Sequence, residues 1–96
     1  MPLVFEWDSR KAKSNLRKHG VSFDEACTVF DDTRATIFPD EDHSNGEERE
    51  IIVGYSILDR MLLVSFTERA MDRVRIISAR EATRREQKDY EESIGS

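Results

Sequence analysis

The spacing of apolar residues changes character at Asp32, and this constrains the fold more than any other feature of the chain. Up to Asp32 the apolar positions recur at helical intervals; beyond it they alternate or fall in short blocks. Leu3–Trp7 reads as a short first strand ended by Asp8, whose carboxylate is suited to capping a helix start. The spacing predicts a helix over Ser9–His19, with Ala12 and Leu16 as its apolar residues and Arg10, Lys13 and Arg17 on another face. Gly20 falls where a helix stops, because positive φ is cheap in glycine. A second helix begins at once. Ser22 and Glu25 make a capping box and Val21 with Ala26 a hydrophobic staple. Phe23, Ala26, Cys27 and Phe30 form its buried stripe, which ends at Asp31 and Asp32.

In the second half, Arg34–Phe38 reads as a strand stopped by Pro39, and Asp40–Glu48 as a polar, acidic loop. Ile51–Leu58, Met61–Glu68 and Arg73–Ala79 are three more strands, joined by turns at Asp59-Arg60 and Ala70–Asp72. In the middle one, Leu62, Val64 and Phe66 face one way and Ser65 and Thr67 the other. In the last, Val74, Ile76 and Ser78 alternate with Arg73 and Arg75. A final helix over Glu81–Ile94 carries a second capping box, Thr83 with Glu86, and sparse apolar residues, Tyr90 among them. The order predicts an α+β fold: two N-terminal helices, a four-stranded antiparallel sheet plus a short N-terminal strand, and a C-terminal helix, with the helices on one face. Residues 1–96 make a single domain, since so short a chain supports one modest core.

Several functions are excluded. Cys27 is the one cysteine, so there is no disulfide scaffold, and its place on an apolar stripe makes it a small hydrophobe rather than a thiolate. No apolar run approaches the roughly 20 residues of a spanning helix, and Met1–Trp7 is too short and lacks the basic start of a signal peptide. A cytoplasmic protein without membrane contact is expected. There is no glycine-rich phosphate loop, dinucleotide fingerprint or nucleophile elbow. Asp40, Asp42 and Ser44 resemble the opening of a calcium loop, but Asn45 and Ile51 stand where glycine and glutamate are needed. His43 has no second histidine at useful spacing, so neither a metal nor another cofactor is expected.

The net charge of -5 hides a segregated pattern. Arg10 to Lys18 holds five basic residues and no acid; Asp24 to Glu50 holds ten acids against Arg34 and Arg49; Arg60 to Arg85 holds seven arginines against Glu68, Asp72 and Glu81. Phosphate binding depends on the local field rather than the total, so the basic blocks keep nucleic acid open as a partner. Within them His19 ends a basic helix, where an imidazole can transfer protons or merely bond the last carbonyls. Arginines at 60, 69, 73, 75, 80 and 84 crowd strand ends and turns, where their planar forks can grip phosphate or simply blunt a sheet edge.

Four motifs in order span nearly the whole chain: F-E-W-D-x-x-K-A-x-x-N-L-x-K-H-G-V-S-F-x-E-A over Phe5–Ala26, V-F-D-D over Val29–Asp32, F-P-D-x-D-H-S-x-G-E-E-R over Phe38–Arg49, and T-E-R followed by D-R-x-R-I-I-S-A-R-x-A-T-R-R-E over Thr67–Glu86. In these the sequence resembles the BrnT toxin family, within the RelE-like superfamily of type II toxin–antitoxin ribonucleases. The resemblance implies a ribonuclease that inhibits translation. It implies as partner a BrnA-like antitoxin with a ribbon-helix-helix part, and operator DNA bound only through the complex. The family pattern maps onto Lys18, His19, Glu68, Arg69, Arg75 and Arg80, with Arg60 at a hairpin position that is often basic.

From these residues the expected chemistry is metal-independent RNA cleavage by the ribose 2′-hydroxyl. Glu68 or His19 would move the protons, and Arg60 and Arg80 would stabilise the phosphorane. Lys13, Arg17, Lys18, Arg69 and Arg75 would hold the RNA backbone. The alternative is a non-catalytic interaction protein that acts with its antitoxin as corepressor on operator DNA. A folded but inactive toxin is a third reading.

Overall fold

A computed structural model describes residues 3–40, 48–70 and 72–95. Its elements run β1 (Val4–Glu6), α1 (Ser9–His19), α2 (Phe23–Thr28) with a 3-10 turn (Val29–Asp31), β2 (Thr36–Pro39), β3 (Arg49–Tyr55), β4 (Met61–Glu68), β5 (Arg73–Glu81) and α3 (Arg84–Gly95). The helix starts are set by their caps. The Asp8 carboxylate accepts from the amides of Arg10 and Lys11 at 2.8 and 3.2 Å, and Ser22 Oγ accepts from the Glu25 amide at 3.0 Å. Thr83 and Glu86 bond reciprocally at 3.1 and 2.9 Å. Gly20 closes α1 in the left-handed region at φ +68°. The second helix ends sooner than its apolar stripe predicts. Asp32 turns its carboxylate to the Tyr55 and Arg34 amides at 2.8 and 3.0 Å, and this draws the chain towards β3.

The sheet has five strands in the order β1-β5-β4-β3-β2. β2 to β5 are antiparallel, and β1 joins the edge parallel to β5, pairing Val4 with Arg73 and Glu6 with Arg75. One face carries the main core. Ile52, Leu62, Val64, Phe66, Val74, Ile76 and Ala79 meet Val21, Phe23, Ala26 and Val29. Phe30 sits between the Phe5 and Phe66 rings, 5.1 Å from each. The expectation of helices on one face is corrected by α3, whose Tyr90 packs on Val53 and Met61 of the opposite face. The physical reason lies in β3 and β4, which are apolar on both sides there, so a single helical layer leaves half of that surface wet.

Three further corrections matter for the site. Leu16, one of the two apolar residues of α1, is about half exposed, while its polar neighbour Asn15 is buried. Ile57 and Leu58, read as strand, stand exposed in a loop that Ser56 and Arg60 close with a 2.8 Å backbone bond. In β5 the pairing slips between Ser65–Ser78 and Phe66–Ile76, so Ile77 is an extra residue. Such a bulge reverses the alternation beyond it. Ala79 therefore enters the core at 1% exposure, and Ser78 and Arg80 turn to the other face.

Candidate active site

The register lays out the face opposite α1 and α2 as rows across β3, β4 and β5: Arg49–Thr67–Arg75, then Ile51–Ser65–Ser78, then Val53–Leu63–Arg80. α3 covers the end beyond Val53 and Met61. What stays open is a cleft of about 370 Å³ with Ile51, Leu63, Ser65, Ile77 and Ser78 as its floor. Arg80, Arg49, Asp40 and His19 stand around it.

His19 comes from α1, which lies beyond the free edge of β5, because Asn15 fixes the helix there. The Asn15 side chain donates to the carbonyls of Ala79 and Val21 at 2.8 and 3.0 Å and accepts from the Ala79 amide at 3.1 Å. It thus completes the edge of β5 as a neighbouring strand would. Residues four apart share a helix face, so one turn beyond Asn15 the chain presents His19 at the cleft. The last turn of α1 carries Arg17, Lys18 and His19, which complement the negative end of the helix dipole. Lys13, Arg17 and Lys18 are exposed along this helix, which adjoins the cleft through its last turn.

Arg80 reaches the cleft because of the bulge. Two of its nitrogens donate to the two Glu86 oxygens at 2.8 Å each. That fork, with the Thr83 amide, holds the Glu86 carboxyl down at about 2, and the same partner raises the Arg80 guanidinium. Arg80 is therefore permanently charged and fixed in direction. The Glu86 fork uses the end of the guanidinium and leaves the Nε side for another anion.

The structure does not bring the other expected residues to this cleft. Arg60 lies on the far face. Its Nε donates to Glu25 Oε2 at 3.0 Å, a second nitrogen bonds Glu25 Oε1, and the same nitrogen donates to the Gly20 carbonyl at 3.1 Å. Ser56 Oγ adds a 2.7 Å bond to the Glu25 carboxylate. Glu25 is buried at 6% exposure, and Arg60 holds its carboxyl below the usual range. This is a clamp between the start of α2 and the β3–β4 hairpin. Glu68 ends β4 in the row of Val74, a core residue, so it points to the helical face and away from the cleft. Arg75 shares the cleft face but bonds Glu6 at 2.9 Å near the β1 edge, and Arg69 lies further along at the β4–β5 turn.

Sequence reasoning passed over Asn15, Arg49 and Ser65. Alternation does place Arg49 with Ile51 and Val53, but its row partners emerge only with the pairing register. Burial lifts the Cys27 thiol to about 12, with Asp24 and Asp31 adding to the shift, in line with an inert apolar role. Among the described residues no cluster of three or more histidine, cysteine or carboxylate groups is arranged to hold a metal. His43 and most of the loop Asp40–Glu48 lie outside the described residues. No described helix is long and apolar enough to cross a membrane.

Residues 7–86 match the family model described as a ribonuclease toxin, BrnT, of a type II toxin–antitoxin system. The fold is similar to the 1.1 Å crystal structure of the Brucella abortus ribonuclease toxin BrnT, with a TM-score of 0.65 over 88% of this chain and 99% of that one. The two sequences are 23% identical, so this likeness concerns the fold. No curated protein matches the sequence.

Proposed function

Because the chain belongs to the BrnT family of ribonuclease toxins of type II toxin–antitoxin systems, we propose that it cuts RNA in the cleft between His19 and Arg80. The supporting observation is that a proton-transfer group and a fixed guanidinium, carried by different elements, line one opening on the sheet. In the reaction the ribose 2′-oxygen attacks the adjacent phosphorus, and His19 takes the proton it loses. The P–O5′ bond breaks, and the leaving oxygen is protonated by solvent or by the returning imidazolium. Arg80 faces the charge that grows on the non-bridging oxygens, where a fixed donor is worth most. The products carry a 2′,3′-cyclic phosphate and a 5′-hydroxyl. Lys13, Arg17 and Lys18 guide the RNA backbone along α1 towards the cleft. Arg69 and Arg75 extend that track over the other end of the sheet. A BrnA-like ribbon-helix-helix antitoxin neutralises the toxin, and operator DNA is bound through their complex.

The test uses purified chain with EDTA, a single-stranded RNA and the matching DNA. RNA cut to 5′-hydroxyl and cyclic-phosphate ends, with DNA intact, is expected, because DNA lacks the nucleophile. Arg80→Ala should lower the rate by about 10²–10³ and His19→Ala by about 10²–10⁴, with circular dichroism unchanged. Full activity in a folded Arg80→Ala protein would overturn the assignment.

A further inference from the structure

The ribonuclease reading leaves open what else holds the phosphate that Arg80 faces, and the cleft floor bears on that question. Ser65 of β4 and Ser78 of β5 are direct partners in the register, and both line the cleft. Residues so opposed carry their Cβ atoms about 4.5–5.5 Å apart. The structural use of such a pair is a hydroxyl–hydroxyl bond across the ladder. Among the described residues neither hydroxyl bonds the other or any other protein group, although both serines are half-buried. The rest of the floor, Ile51, Leu63 and Ile77, is aliphatic, so two unengaged hydroxyls sit side by side in an otherwise apolar surface.

Their neighbours decide what they would bind. Beyond the bulge Ser78 and Arg80 are alternate residues of β5 on the same open face. Their rows are about 7 Å apart, a gap that a phosphate bridges when each of two oxygens accepts a bond of about 2.8 Å. Asp40 and Arg49, joined by a 2.8 Å backbone bond, occupy the row on the other side of the serines. The Asp40 carboxylate disfavours an anion at that end and leaves the Arg80 end for it.

We infer that Ser65 and Ser78 form a clasp for the scissile phosphate: their hydroxyls donate to one non-bridging oxygen while Arg80 takes the other. Both serines are then catalytic residues, because the oxygen they hold gains charge as the 2′-oxygen attacks. This rests on the ribonuclease reading above. It adds that the two non-bridging oxygens are held by different groups and are therefore distinguishable.

The experiment uses a DNA oligonucleotide with a single ribose, so that one linkage alone can be cut. It is made with oxygen throughout, or with sulfur in place of either non-bridging oxygen of that linkage. Sulfur accepts hydrogen bonds weakly, so each isomer weakens the hold on one side, and the wild type should cut both more slowly. Ser65→Ala combined with Ser78→Ala should lower kcat/KM on the oxygen substrate about tenfold to a hundredfold, the value of one hydrogen bond to a charged group. In that variant the penalty of one sulfur isomer should vanish and that of the other persist. Ser65→Thr with Ser78→Thr keeps both hydroxyls on residues that suit a strand, and should retain most of the rate. Urea midpoints of both variants should stay close to wild type, because the hydroxyls have no protein partner to lose. The inference is overturned if the double alanine variant cuts the oxygen substrate at the wild-type rate. It is overturned equally if both sulfur penalties survive in that variant, or if its loss of rate follows a loss of stability. If the wild type does not cut the oxygen substrate at all, it is the ribonuclease reading on free RNA that fails first, and the clasp falls with it.

Discussion

Asn15→Ala is the perturbation that most directly tests how this site is held. The side chain makes three bonds to backbone, with the Ala79 amide, the Ala79 carbonyl and the Val21 carbonyl, and the residue is 6% exposed. Truncation leaves one buried donor and two buried acceptors without partners, each costing about 1–3 kcal/mol. Water reaching the edge of β5 recovers part, so about 3–5 kcal/mol is expected, a large share of the about 5–15 kcal/mol typical of a small domain. Urea unfolding monitored by the fluorescence of Trp7, whose ring lies 5.9 Å from that of Phe23, should show a midpoint lower by roughly 2 M with an unchanged slope.

Asn15→Asp sharpens the argument. A carboxylate can still accept from the Ala79 amide but cannot donate to either carbonyl, so at neutral pH it should be at least as harmful as alanine. Protonation restores one donor. The folded state therefore raises this carboxyl above its unfolded value of about 3.9. The stability it contributes is present below that value and is lost as pH rises through the folded pKa. The deficit of Asn15→Asp relative to wild type should thus shrink as the pH is lowered, while that of Asn15→Ala should not. A loss under about 1 kcal/mol for alanine, or a pH-independent deficit for Asn15→Asp, would refute the role assigned to Asn15.

The ion pairs supply two further tests. Glu86 has its folded pKa lowered from 4.5 to about 2, so its contribution is complete above the unfolded value and is lost as pH falls towards the folded one. Acid titration of Glu86→Gln should show a shallower stability loss over that window, and an unaltered acid limb would count against the Arg80 fork. Arg60→Ala strands the buried Glu25 carboxylate, and since Arg60 is itself about a third exposed the cost should fall near the low end of the ~3–5 kcal/mol seen for broken buried pairs. Adding Glu25→Gln should recover much of it in urea unfolding. Additive losses would mean that the two residues do not act as a pair.

The order of elements was legible because it rests on local chemistry. Asp8, Ser22 and Thr83 each cap a helix start, Gly20 takes the left-handed turn, and the switch from helical to alternating spacing marks where the sheet begins. The faces were less legible. Leu16 looks like core and Asn15 like surface when hydrophobicity alone is read. The carbonyls and amide at the β5 edge reverse the two, since an amide that completes the edge serves there better than an aliphatic group. The family motifs pointed to His19 and Arg80 as site residues, and both line the cleft. They pointed equally to Glu68, which does not, since no motif records which face of a sheet a strand residue takes; Arg60, expected only from its hairpin position, is instead tied to Glu25.

For Arg80 the choice of face turns on a single residue. With regular alternation through β5, positions 74, 76, 78 and 80 would share the core face, and Arg80 would be driven into the core opposite Leu62. Ile77 absorbs one position, Ala79 takes the place inside, and Arg80 turns out to Glu86 and the cleft. At the same position the Ala79 backbone amide and carbonyl bond the Asn15 side chain of α1. The run Ile76-Ile77-Ser78-Ala79-Arg80 is therefore one device. Ile77 shifts the strand, the Ala79 backbone anchors the helix that carries His19, and Arg80 emerges on the face where that histidine arrives.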